Sequence, residues 1–451
     1  MVRKLFGTDG IRGAVHQAPM LPSTVLLLGQ AAAYVFTKNN HKRHKIIIAK
    51  DTRVSGYVFE YALTSGLCSL GIDVYQVGPM PTPALALLVK SFAADAGIMI
   101  TASHNPIGDN GIKFFSSDGY KLPDAVEEEI EAAMQNPIQF KQVAELGKAY
   151  KIEDARGRYI EFVKQSIKSR SLHGYKIVLD CANGAAYKVA PLIFQELGAE
   201  VIVINSNPDG LNINKNCGSE HPEIVQQEVK KQKADVGIAL DGDGDRVIMV
   251  DETGAIVDGD HLLAIAAIHF KQKGKLEQDT VVTTVMANAG FEEAMHAHNI
   301  KVVRTAVGDR YILEKMRKSG YTLGGEQSGH IIFGKYTTTG DGTLAGLQIL
   351  SMMKQAKKSL HELAQCMESF PQILLNVDVR EKIPFEQLQS VKKAIAAAEK
   401  ELAGKGRILV RYSGTQNMCR VMVEGKEKER IEEIAKTVVN AIEAEIGKKK
   451  K

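Results

Sequence analysis

The feature that most constrains the fold is a pattern that occurs three times in the first three quarters of the chain. Each copy begins with a β-branched run ending in small polar residues, continues into an amphipathic helix, and ends in a second apolar run. The copies begin with "HKIIIAKDTR" at His44, "YKIVLDCANG" at Tyr175 and "TVVTTVMANAG" at Thr280. Strand, helix and strand in this order are typical of parallel sheets covered by helices. The pattern therefore predicts three related α/β domains.

The segment after about Phe370 has a different pattern. Strand-like runs such as "ILLNVDVR" and "CRVMVEG" alternate with charged helices without a clean parallel repeat, which indicates an α+β domain. We predict α/β domains with mixed or parallel sheets over residues 1–150, 151–255 and 256–369, followed by an α+β domain over residues 370–451. A length of 451 residues agrees with several domains.

Composition favours a cytoplasmic protein. The net charge of +4 disappears without the four lysines that end the chain, so nothing in it favours a nucleic-acid partner. The five cysteines are scattered and never form a C-x-x-C pair, which is typical of reduced thiols. The apolar stretch "VLLLGQAAAYVF" is too short to span a bilayer, and the N-terminus lacks the pattern of a secretory signal. We predict no membrane partner.

Each α/β unit contains one more apolar run that ends in polar residues. These endings are "TASHNP" after "GIMI", "DGDGDR" after "VGIAL" and "GEQSGH" after "YTLG". Ligands of open parallel sheets bind outside the carboxyl ends of the strands, so three equivalent loops can face one central cleft. The alternative, three loops on unrelated surfaces, stays open at this point.

The "DGDGDR" loop carries the strongest local signal. Asp241, Asp243 and Asp245 alternate with glycines, so three carboxylates can turn toward one point. A hard divalent cation relieves their repulsion, and Mg²⁺ commonly keeps open positions for phosphate. A calcium EF-hand is excluded because Arg246 occupies the sixth position, where a glycine is needed. The alternative is a solvated acidic turn.

Two further loops are suited to a sugar phosphate. In "GEQSGH", the Glu326 carboxylate and Ser328 can hold sugar hydroxyls, with His330 beside them; the alternative is an exposed glycine-rich turn. In the last domain, "RYSGTQN" and the strand after it supply guanidinium, hydroxyl, amide and backbone donors for an anion. These donors belong to Arg411, Ser413, Gly414, Thr415, Asn417 and Arg420. The alternative there is a turn that binds nothing.

Ser103 of "TASHNP" is best explained as a residue that itself carries a phosphoryl group. A serine hydrolase is disfavoured because the chain contains no G-x-S-x-G elbow, and we expect the adjacent His104 to be poorly placed as its base. A P-loop kinase is disfavoured because G-x-x-x-x-G-K-[ST] is absent. A phosphoserine neutralised by the metal loop divides one transfer into two easier steps.

The four motifs "TASHNP", "DGDGDR", "GEQSGH" and "RYSGTQN", in this order across the whole chain, resemble the α-D-phosphohexomutase family. The opening "FGTDGIRG" and Gln327 are most similar to the bacterial branch that acts on glucosamine phosphates. The branch that acts on mannose and glucose phosphates usually has methionine at the position of Gln327. One departure is Gln416 and Asn417, where the family usually has Glu-Pro after "SGT". No role is therefore carried over to Gln416.

The resemblance implies an isomerase that interconverts glucosamine 6-phosphate and glucosamine 1-phosphate, a step toward UDP-N-acetylglucosamine and the cell wall. Ser103 would be the phosphoserine and a fourth ligand of Mg²⁺, next to the aspartate triad. It would phosphorylate the sugar to a bisphosphate, which turns end over end and returns its original phosphate to Ser103. The last domain would hold the phosphate that is not reacting.

Further residue roles follow from the same resemblance. Arg12 and Arg246 would stabilise charge on the transferred group, and Lys113 and His330 are candidates for the proton donor and acceptor. A homodimer is a possible assembly. Two alternative functions stay open, namely the same chemistry on mannose or glucose phosphates and a non-catalytic sensor of sugar phosphates.

Overall fold

The computed structural model describes residues 5–7, 9–38, 42–136, 141–142, 145–168, 171–403, 406–413 and 417–448. The chain forms two compact units. The first comprises Met1–Met286 and Asn299–Cys366, and the second comprises Ala287–His298 and Met367–Lys451. No helix in the described ranges is both long and apolar enough to cross a membrane.

The first sheet has six strands in the order β1-β5-β4-β2-β3-β6. They are β1 (Ile11–Ala14), β2 (Lys45–Lys50), β3 (Asp73–Pro79), β4 (Ala96–Ile100), β5 (Asp109–Ser116) and β6 (Ala149–Lys151). Strand β2 runs parallel to β3 and β4, whereas β5 runs antiparallel to β4 and β1. The helices are α1 (Pro22–Thr37), α2 (Ser55–Cys68), α3 (Thr82–Ser91) and α4 (Asp124–Ala133).

The second sheet has five strands in the order β11-β10-β9-β7-β8. They are β7 (Lys176–Asp180), β8 (Glu200–Ile204), β9 (Val236–Leu240), β10 (Val247–Asp251) and β11 (Ile256–Val257). Strand β7 is parallel to β8 and β9, and β10 is antiparallel to β9. Helices α5 (Ala155–Gln165), α6 (Val189–Glu196) and α7 (Glu223–Gln232) belong to this part of the chain.

The third sheet has four strands in the order β13-β12-β14-β15. They are β12 (Thr280–Thr284), β13 (Lys301–Thr305), β14 (Leu323–Gly325) and β15 (Ile331–Phe333). Strand β12 is parallel to β13 and β14, and β15 is antiparallel to β14. The helices in this stretch are α8 (Gly259–Gln272), α9 (Ala289–Ala297), α10 (Asp309–Ser319), α11 (Gly342–Ala356) and α12 (Leu360–Ala364), of which α9 belongs to the second compact unit.

The three sheets share one topology, which confirms the predicted repeat. In each, a strand, a helix and a parallel strand are followed by another parallel strand on the opposite side of the first, and then by an antiparallel neighbour. The "TASHNP", "DGDGDR" and "GEQSGH" loops each connect that last parallel strand to its antiparallel neighbour. The apolar runs before the loops predicted buried strands, and β4 and β9 are buried along their whole lengths.

Two helix N-termini fix the second and third loops. Helix α11 is capped by the Asp341 side chain, and the N–H of Gly342 donates to the Gly244 carbonyl of the second loop at 3.0 Å. Helix α8 is capped by Asp258, and the N–H of Gly259 donates to the Gln327 carbonyl of the third loop at 3.0 Å. A capped N-terminus leaves its other N–H groups free to bond an adjoining loop.

The C-terminal part of the second unit is built on a three-stranded antiparallel sheet in the order β16-β18-β17. The strands are β16 (Gln372–Asp378), β17 (Gly406–Tyr412) and β18 (Met418–Gly425), and the helices are α13 (Gln389–Leu402) and α14 (Lys428–Ile446). Their core includes Val391, Val421 and Val438. The lack of a parallel repeat agrees with the predicted α+β class.

Candidate active site

The first two loops meet at Ser103. Its hydroxyl donates a hydrogen bond to Oδ2 of Asp241 at 2.6 Å, and both side chains are almost completely buried. Ser103 adopts a left-handed backbone conformation with φ of 51°, which is uncommon for a residue with a Cβ. The predicted serine and the first aspartate of the predicted triad are therefore brought together.

The three aspartates of the second loop form one cluster. Asp241, Asp243 and Asp245 each offer a carboxylate oxygen within 4.8 Å of the others, and all three are buried. Oδ1 of Asp243 and Oδ1 of Asp245 have no hydrogen-bond partner within the described parts of the chain. Buried carboxylate oxygens without donors fit a hard cation with oxygen preference, so the donor set is suitable for a divalent metal ion.

Neighbouring charges act in opposite directions on the pKa values of Asp241 and Asp245. Burial and the neighbouring carboxylates of Asp243 and Asp245 raise the pKa of Asp241 well above its ordinary value. Burial acts in the same direction on Asp245, but the positive charges of His330 and Lys113 outweigh it and lower the pKa of Asp245. Carboxylates this close repel unless a cation lies between them.

Among the described residues, Lys113 is the cationic side chain that contacts the cluster most closely. Its Nζ lies 3.1 Å from Oδ2 of Asp243, 3.8 Å from Oδ2 of Asp245 and 3.0 Å from Oδ2 of Asp9. Burial lowers the pKa of Lys113, but these three carboxylates outweigh burial and hold the pKa well above its ordinary value. Lys113 is therefore a buried charge with specific partners, not a lysine extended toward solvent.

Both predicted arginines lie around the same point. Arg12 donates to Asn105 in the serine loop at 3.3 Å and to Asp9 at 3.2 Å. The backbone N–H of Arg246 donates to Oδ1 of Asp241 at 3.1 Å, while its Nε has no hydrogen-bond partner within the described ranges. The guanidinium lies beside the cluster, with Nε 4.0 Å from Oδ1 of Asp245, so it is near enough to act on an anion bound there.

The third loop joins the cluster through His330. Its Nδ1 lies 3.6 Å from Oδ2 of Asp245, and its Nε2 lies 3.4 Å from Oδ2 of Asp309. Burial lowers the pKa of the imidazole, but the carboxylates of Asp245 and Asp309 outweigh burial and raise it. The structure thus brings the serine, metal and sugar loops to one place.

The predicted sugar ligands lie on the same third loop. Oε1 of Glu326 accepts a hydrogen bond from the N–H of Gly308 at 3.2 Å, which orients the carboxylate. The hydroxyl of Ser328 is inaccessible to solvent and has no partner among the residues described. Both groups keep hydrogen-bonding capacity for a polar ligand.

Three charged residues of the site were missed from the sequence. Lys121 forms ion pairs with Asp9 and with Asp309, the second at 2.5 Å. It therefore connects two residues that are far apart in the sequence. Asp9 lies inside "FGTDGIRG", so that motif contained a signal, whereas Lys121 and Asp309 lie in no motif. Asp9 in turn contacts Lys113 and Arg12.

His104 lies closer to the serine than its adjacent position led us to expect. Its Nδ1 lies 3.3 Å from the Ser103 hydroxyl, although that hydroxyl donates its proton to Asp241. Burial, with Arg246 and Arg12 nearby, lowers the pKa of His104 to about 4. The shorter contact of the Ser103 hydroxyl is with Asp241.

The second compact unit contains the predicted anion loop. Arg411 and Arg420 stand directly opposite each other on β17 and β18, and Nε of Arg420 has no hydrogen-bond partner in the described part of the unit. Burial, together with the charge of Arg420, lowers the pKa of Arg411. Two opposed guanidinium groups favour a bound anion.

Two neighbours complete what the structure describes of this loop. The N–H of Ser413 donates to the Met418 carbonyl at 2.8 Å, and the Asn417 carbonyl accepts from Val379 at 3.0 Å. The predicted ligands Gly414 and Thr415 lie outside the described residues.

Four family models match the chain in order. Models described as phosphoglucomutase/phosphomannomutase alpha/beta/alpha domains I, II and III match residues 3–140, 157–254 and 258–370. The model of the C-terminal domain of the same family matches residues 374–441.

Curated bacterial proteins are similar over nearly the full length. A phosphoglucosamine mutase of Pelobacter propionicus is 51% identical over 452 residues, covering 99% of this chain and 100% of its own. A phosphoglucosamine mutase of Geobacter sp. strain M21 is 52% identical over 454 residues and covers 99% of each chain.

Solved structures share the fold at lower identity. A phosphoglucomutase/phosphomannomutase family protein of Burkholderia thailandensis has a TM-score of 0.80 at 23% identity and covers 98% of this chain and 97% of its own. An Aspergillus fumigatus N-acetylphosphoglucosamine mutase, solved with GlcNAc-6P and magnesium, has a TM-score of 0.66 at 17% identity, covering 97% and 95%. Four domain models of one family match the chain in order, and its relatives are similar over nearly the full length. The chain therefore belongs to the α-D-phosphohexomutase family, in the branch of the bacterial phosphoglucosamine mutases, and is an isomerase.

Proposed function

We propose that the protein interconverts glucosamine 6-phosphate and glucosamine 1-phosphate through a phosphorylated Ser103. The observation that carries the proposal is the 2.6 Å contact between the Ser103 hydroxyl and Asp241, at the edge of a buried aspartate cluster. A hydroxyl at this point can carry a phosphoryl group, whose charge a divalent cation held by the cluster would balance. The similarity to full-length phosphoglucosamine mutases supports glucosamine as the sugar.

The proposed reaction has two transfers at one serine. Phosphoserine 103 gives its phosphoryl group to the free hydroxyl of the sugar phosphate, which produces a bisphosphorylated sugar. The sugar bisphosphate then turns so that its original phosphate faces Ser103, and the serine takes that group back. The serine is thus rephosphorylated in every cycle, and the sugar bisphosphate doubles as an activator that can phosphorylate a bare enzyme.

We propose Mg²⁺ as the metal, held by Asp241, Asp243 and Asp245 together with an oxygen of phosphorylated Ser103. The unpartnered Oδ1 atoms of Asp243 and Asp245 support this assignment. When bound, the ion would withdraw charge from the transferred phosphoryl group.

The cations of the chain serve the same end. Arg12, which is on β1 and contacts Asn105 of the serine loop, and Arg246 of the metal loop stabilise charge on the transferred group. We propose Lys113 and His330 as candidates for the proton donor and acceptor, and the raised pKa of Lys113 keeps its ammonium protonated, which suits the donor. Both are buried and held by named carboxylates, so each is fixed in position before substrate binds.

The remaining predicted residues hold the substrate. Glu326 and Ser328 bind sugar hydroxyls in both orientations of the sugar. The phosphate that is not reacting is held by Arg411, Ser413, Gly414, Thr415, Asn417 and Arg420. The opposed guanidinium groups of the second unit support this role.

We also propose a cytoplasmic location and a homodimer. All five cysteines are free thiols, which agrees with a reducing compartment. Val54, just before α2, and Tyr57, Val58 and Tyr61 on α2 are exposed apolar residues, which supports burial against a second copy. Light scattering of the wild type and of Tyr61→Glu tests the dimer, which is wrong if the wild type is monomeric.

Two measurements test the function. Intact mass of the purified protein, with peptide mapping, is expected to show one phosphoryl group on Ser103. Values of kcat/KM are expected to be highest for glucosamine phosphate when compared with mannose and glucose phosphates. A preference for a sugar without the amino group would favour the alternative substrates. Binding of sugar phosphate without turnover would instead favour a sensor.

A further inference from the structure

Both backbone polar groups of Ser103 are fixed by one buried ion pair. The N–H of Ser103 donates to the Thr101 hydroxyl at 2.9 Å, and that hydroxyl donates to Oδ2 of Asp51 at 2.7 Å. On the other side, the Ser103 carbonyl accepts from Nη2 of Arg53 at 3.2 Å. Nε of Arg53 closes the circuit by donating to Oδ2 of Asp51 at 2.9 Å.

Arg53 holds more of the loop than Ser103 alone. Its Nη2 also donates to the Asn105 carbonyl at 2.7 Å, and its Nη1 donates to the Pro106 carbonyl at 2.6 Å. The side chain of Arg53 is 0% exposed, although a charged residue is rarely buried without specific partners. The rigid fork of the guanidinium is therefore used on three carbonyls of one loop.

Asn214 supports the same carbonyl from the second domain. Its Nδ2 donates to the Ser103 carbonyl at 2.8 Å and to the Asn105 carbonyl at 3.2 Å. Gly242 of the metal loop packs against the same amide, since a Cβ there would lie 2.7 Å from Nδ2 of Asn214. The serine loop and the metal loop are thus held in register by a common neighbour.

We propose that Asp51, Arg53 and Thr101 are positioning residues that hold Ser103 in its left-handed conformation and so direct its hydroxyl to the aspartate cluster. A serine with φ of 51° is disfavoured unless its surroundings fix it. Hydrogen bonds on both sides of the residue provide that restraint. The inference rests on the proposed role of Ser103 in phosphoryl transfer.

The residues after β7 in the second sheet correspond to those after β2 in the first, and there no arginine restrains the next loop. Asp180 ends β7 as Asp51 follows β2, and its carboxylate also accepts from backbone N–H groups, those of Ala182 and Gly218. The residue two positions after Asp180 is an alanine, so no guanidinium extends from there to the next loop. The aspartate serves its own turn in both sheets, and the arginine adds the restraint on the serine loop.

Thr101→Val and Thr101→Ser form the matched pair that tests the proposal. Valine keeps the shape but removes the hydroxyl between Asp51 and the Ser103 N–H, whereas serine keeps the hydroxyl. We expect Thr101→Val to lower kcat by about 10- to 100-fold with KM changed by less than about 3-fold, because misplacement acts on the transfer step. Thr101→Ser is expected to keep most of kcat.

Phosphorylation of Ser103 by glucose 1,6-bisphosphate, followed by intact mass, gives a second readout. We expect the rate to fall in Thr101→Val and in Arg53→Lys, which keeps the charge but loses the fork. Ile193→Ala, at a fully buried residue of α6, controls for general destabilisation and is expected to leave kcat unchanged below its melting temperature.

The outcomes separate this inference from the proposed function. Wild-type kcat and phosphorylation rate in Thr101→Val, or equal losses in the valine and serine variants, would overturn the positioning role while Ser103→Ala stays inactive. An active Ser103→Ala would instead overturn the phosphoserine mechanism, and the positioning inference with it.

Discussion

The serine loop and the metal loop occupy the same place in two copies of one topology, yet they are built in opposite ways. In the first, the backbone is restrained by Arg53 and Thr101, and a single hydroxyl is presented. In the second, the backbone is also held, for example by the N–H of Gly342 on the Gly244 carbonyl, but the side chains carry the function, with carboxylate oxygens left without donors. The same strand-to-strand connection can therefore position a nucleophile or collect charge, depending on which atoms are satisfied internally.

The two loops also depend on each other. The hydroxyl of Ser103 is the hydrogen-bond donor to Oδ2 of Asp241, and the N–H of Arg246 serves the other oxygen. Oδ2 of Asp243 accepts a hydrogen bond from the Thr82 hydroxyl at 2.7 Å and another from Nζ of Lys113. Removal of the Ser103 hydroxyl should thus abolish the transfer, whereas removal of one carboxylate from the metal loop should be partly compensated by added cation.

The largest effect is expected from Ser103→Ala. If the serine loop supplies the nucleophile, kcat falls by about 10⁴-fold or more, because no other group can carry the phosphoryl group. The melting temperature should shift by less than about 3 °C, since a small side chain is removed. Ser69→Ala, at the end of α2, is the control and should keep full activity. Comparable activity in both variants would contradict the assignment.

A smaller and conditional loss is expected from Asp243→Asn. The substitution keeps the volume but removes one charge of the cluster, so the metal binds more weakly and kcat at low Mg²⁺ falls by roughly 100-fold. Titration with Mg²⁺ should restore part of the activity. Asp251→Asn, a buried aspartate at the end of β10, should leave the Mg²⁺ dependence unchanged. An unchanged Mg²⁺ midpoint in Asp243→Asn would argue against the metal site.

Local motifs were sufficient to predict the fold class and the aspartate cluster. They did not predict the ion pairs around that cluster. The apolar runs of β4 and β9 predicted buried strands, and the spacing of "DGDGDR" predicted a carboxylate cluster. The contacts of Asp9, Lys121 and Asp309 could not be predicted, because the three residues are far apart in the chain and meet only in the folded protein.

Backbone conformation was the second feature that the sequence did not predict. Ser103 has a left-handed φ and its hydroxyl contacts His104, and no residue type in "TASHNP" predicts either observation. The hydrogen bonds of Arg53 to the serine loop could not be predicted either, because the three acceptor carbonyls come close to Arg53 only when β2 and β4 pair in register.

The third loop offers an intermediate effect through Glu326→Gln. The variant keeps the hydrogen bond from Gly308 but loses the charge that strengthens bonds to sugar hydroxyls, so kcat/KM should fall by about 10-fold. Glu314→Gln, on the exposed side of α10, is the control and should not change the kinetics. A Glu326→Gln enzyme with wild-type kcat/KM would place sugar recognition elsewhere.

The smallest effect concerns the helix that supports the metal loop. Burial raises the pKa of Asp341, the N-cap of α11, to about 7, against an ordinary value near 4 in the unfolded chain. Between these two pH values the folded protein binds a proton that the unfolded chain has released. The stability that comes from this proton is complete below about pH 4 and is lost as the pH rises to 7.

Asp341→Asn removes this titration while keeping a residue that caps helices well. Relative to the variant, the wild type should lose at most about 1.4 kcal/mol of unfolding free energy per pH unit between pH 4 and 7, measured by urea unfolding. Tyr159 donates its hydroxyl to Oδ1 of Asp341 at 2.9 Å, so Tyr159→Phe tests the same carboxyl from the other side. Parallel pH profiles of the wild type and Asp341→Asn would show that Asp341 is ionised throughout, and that the metal loop rests on a charged cap.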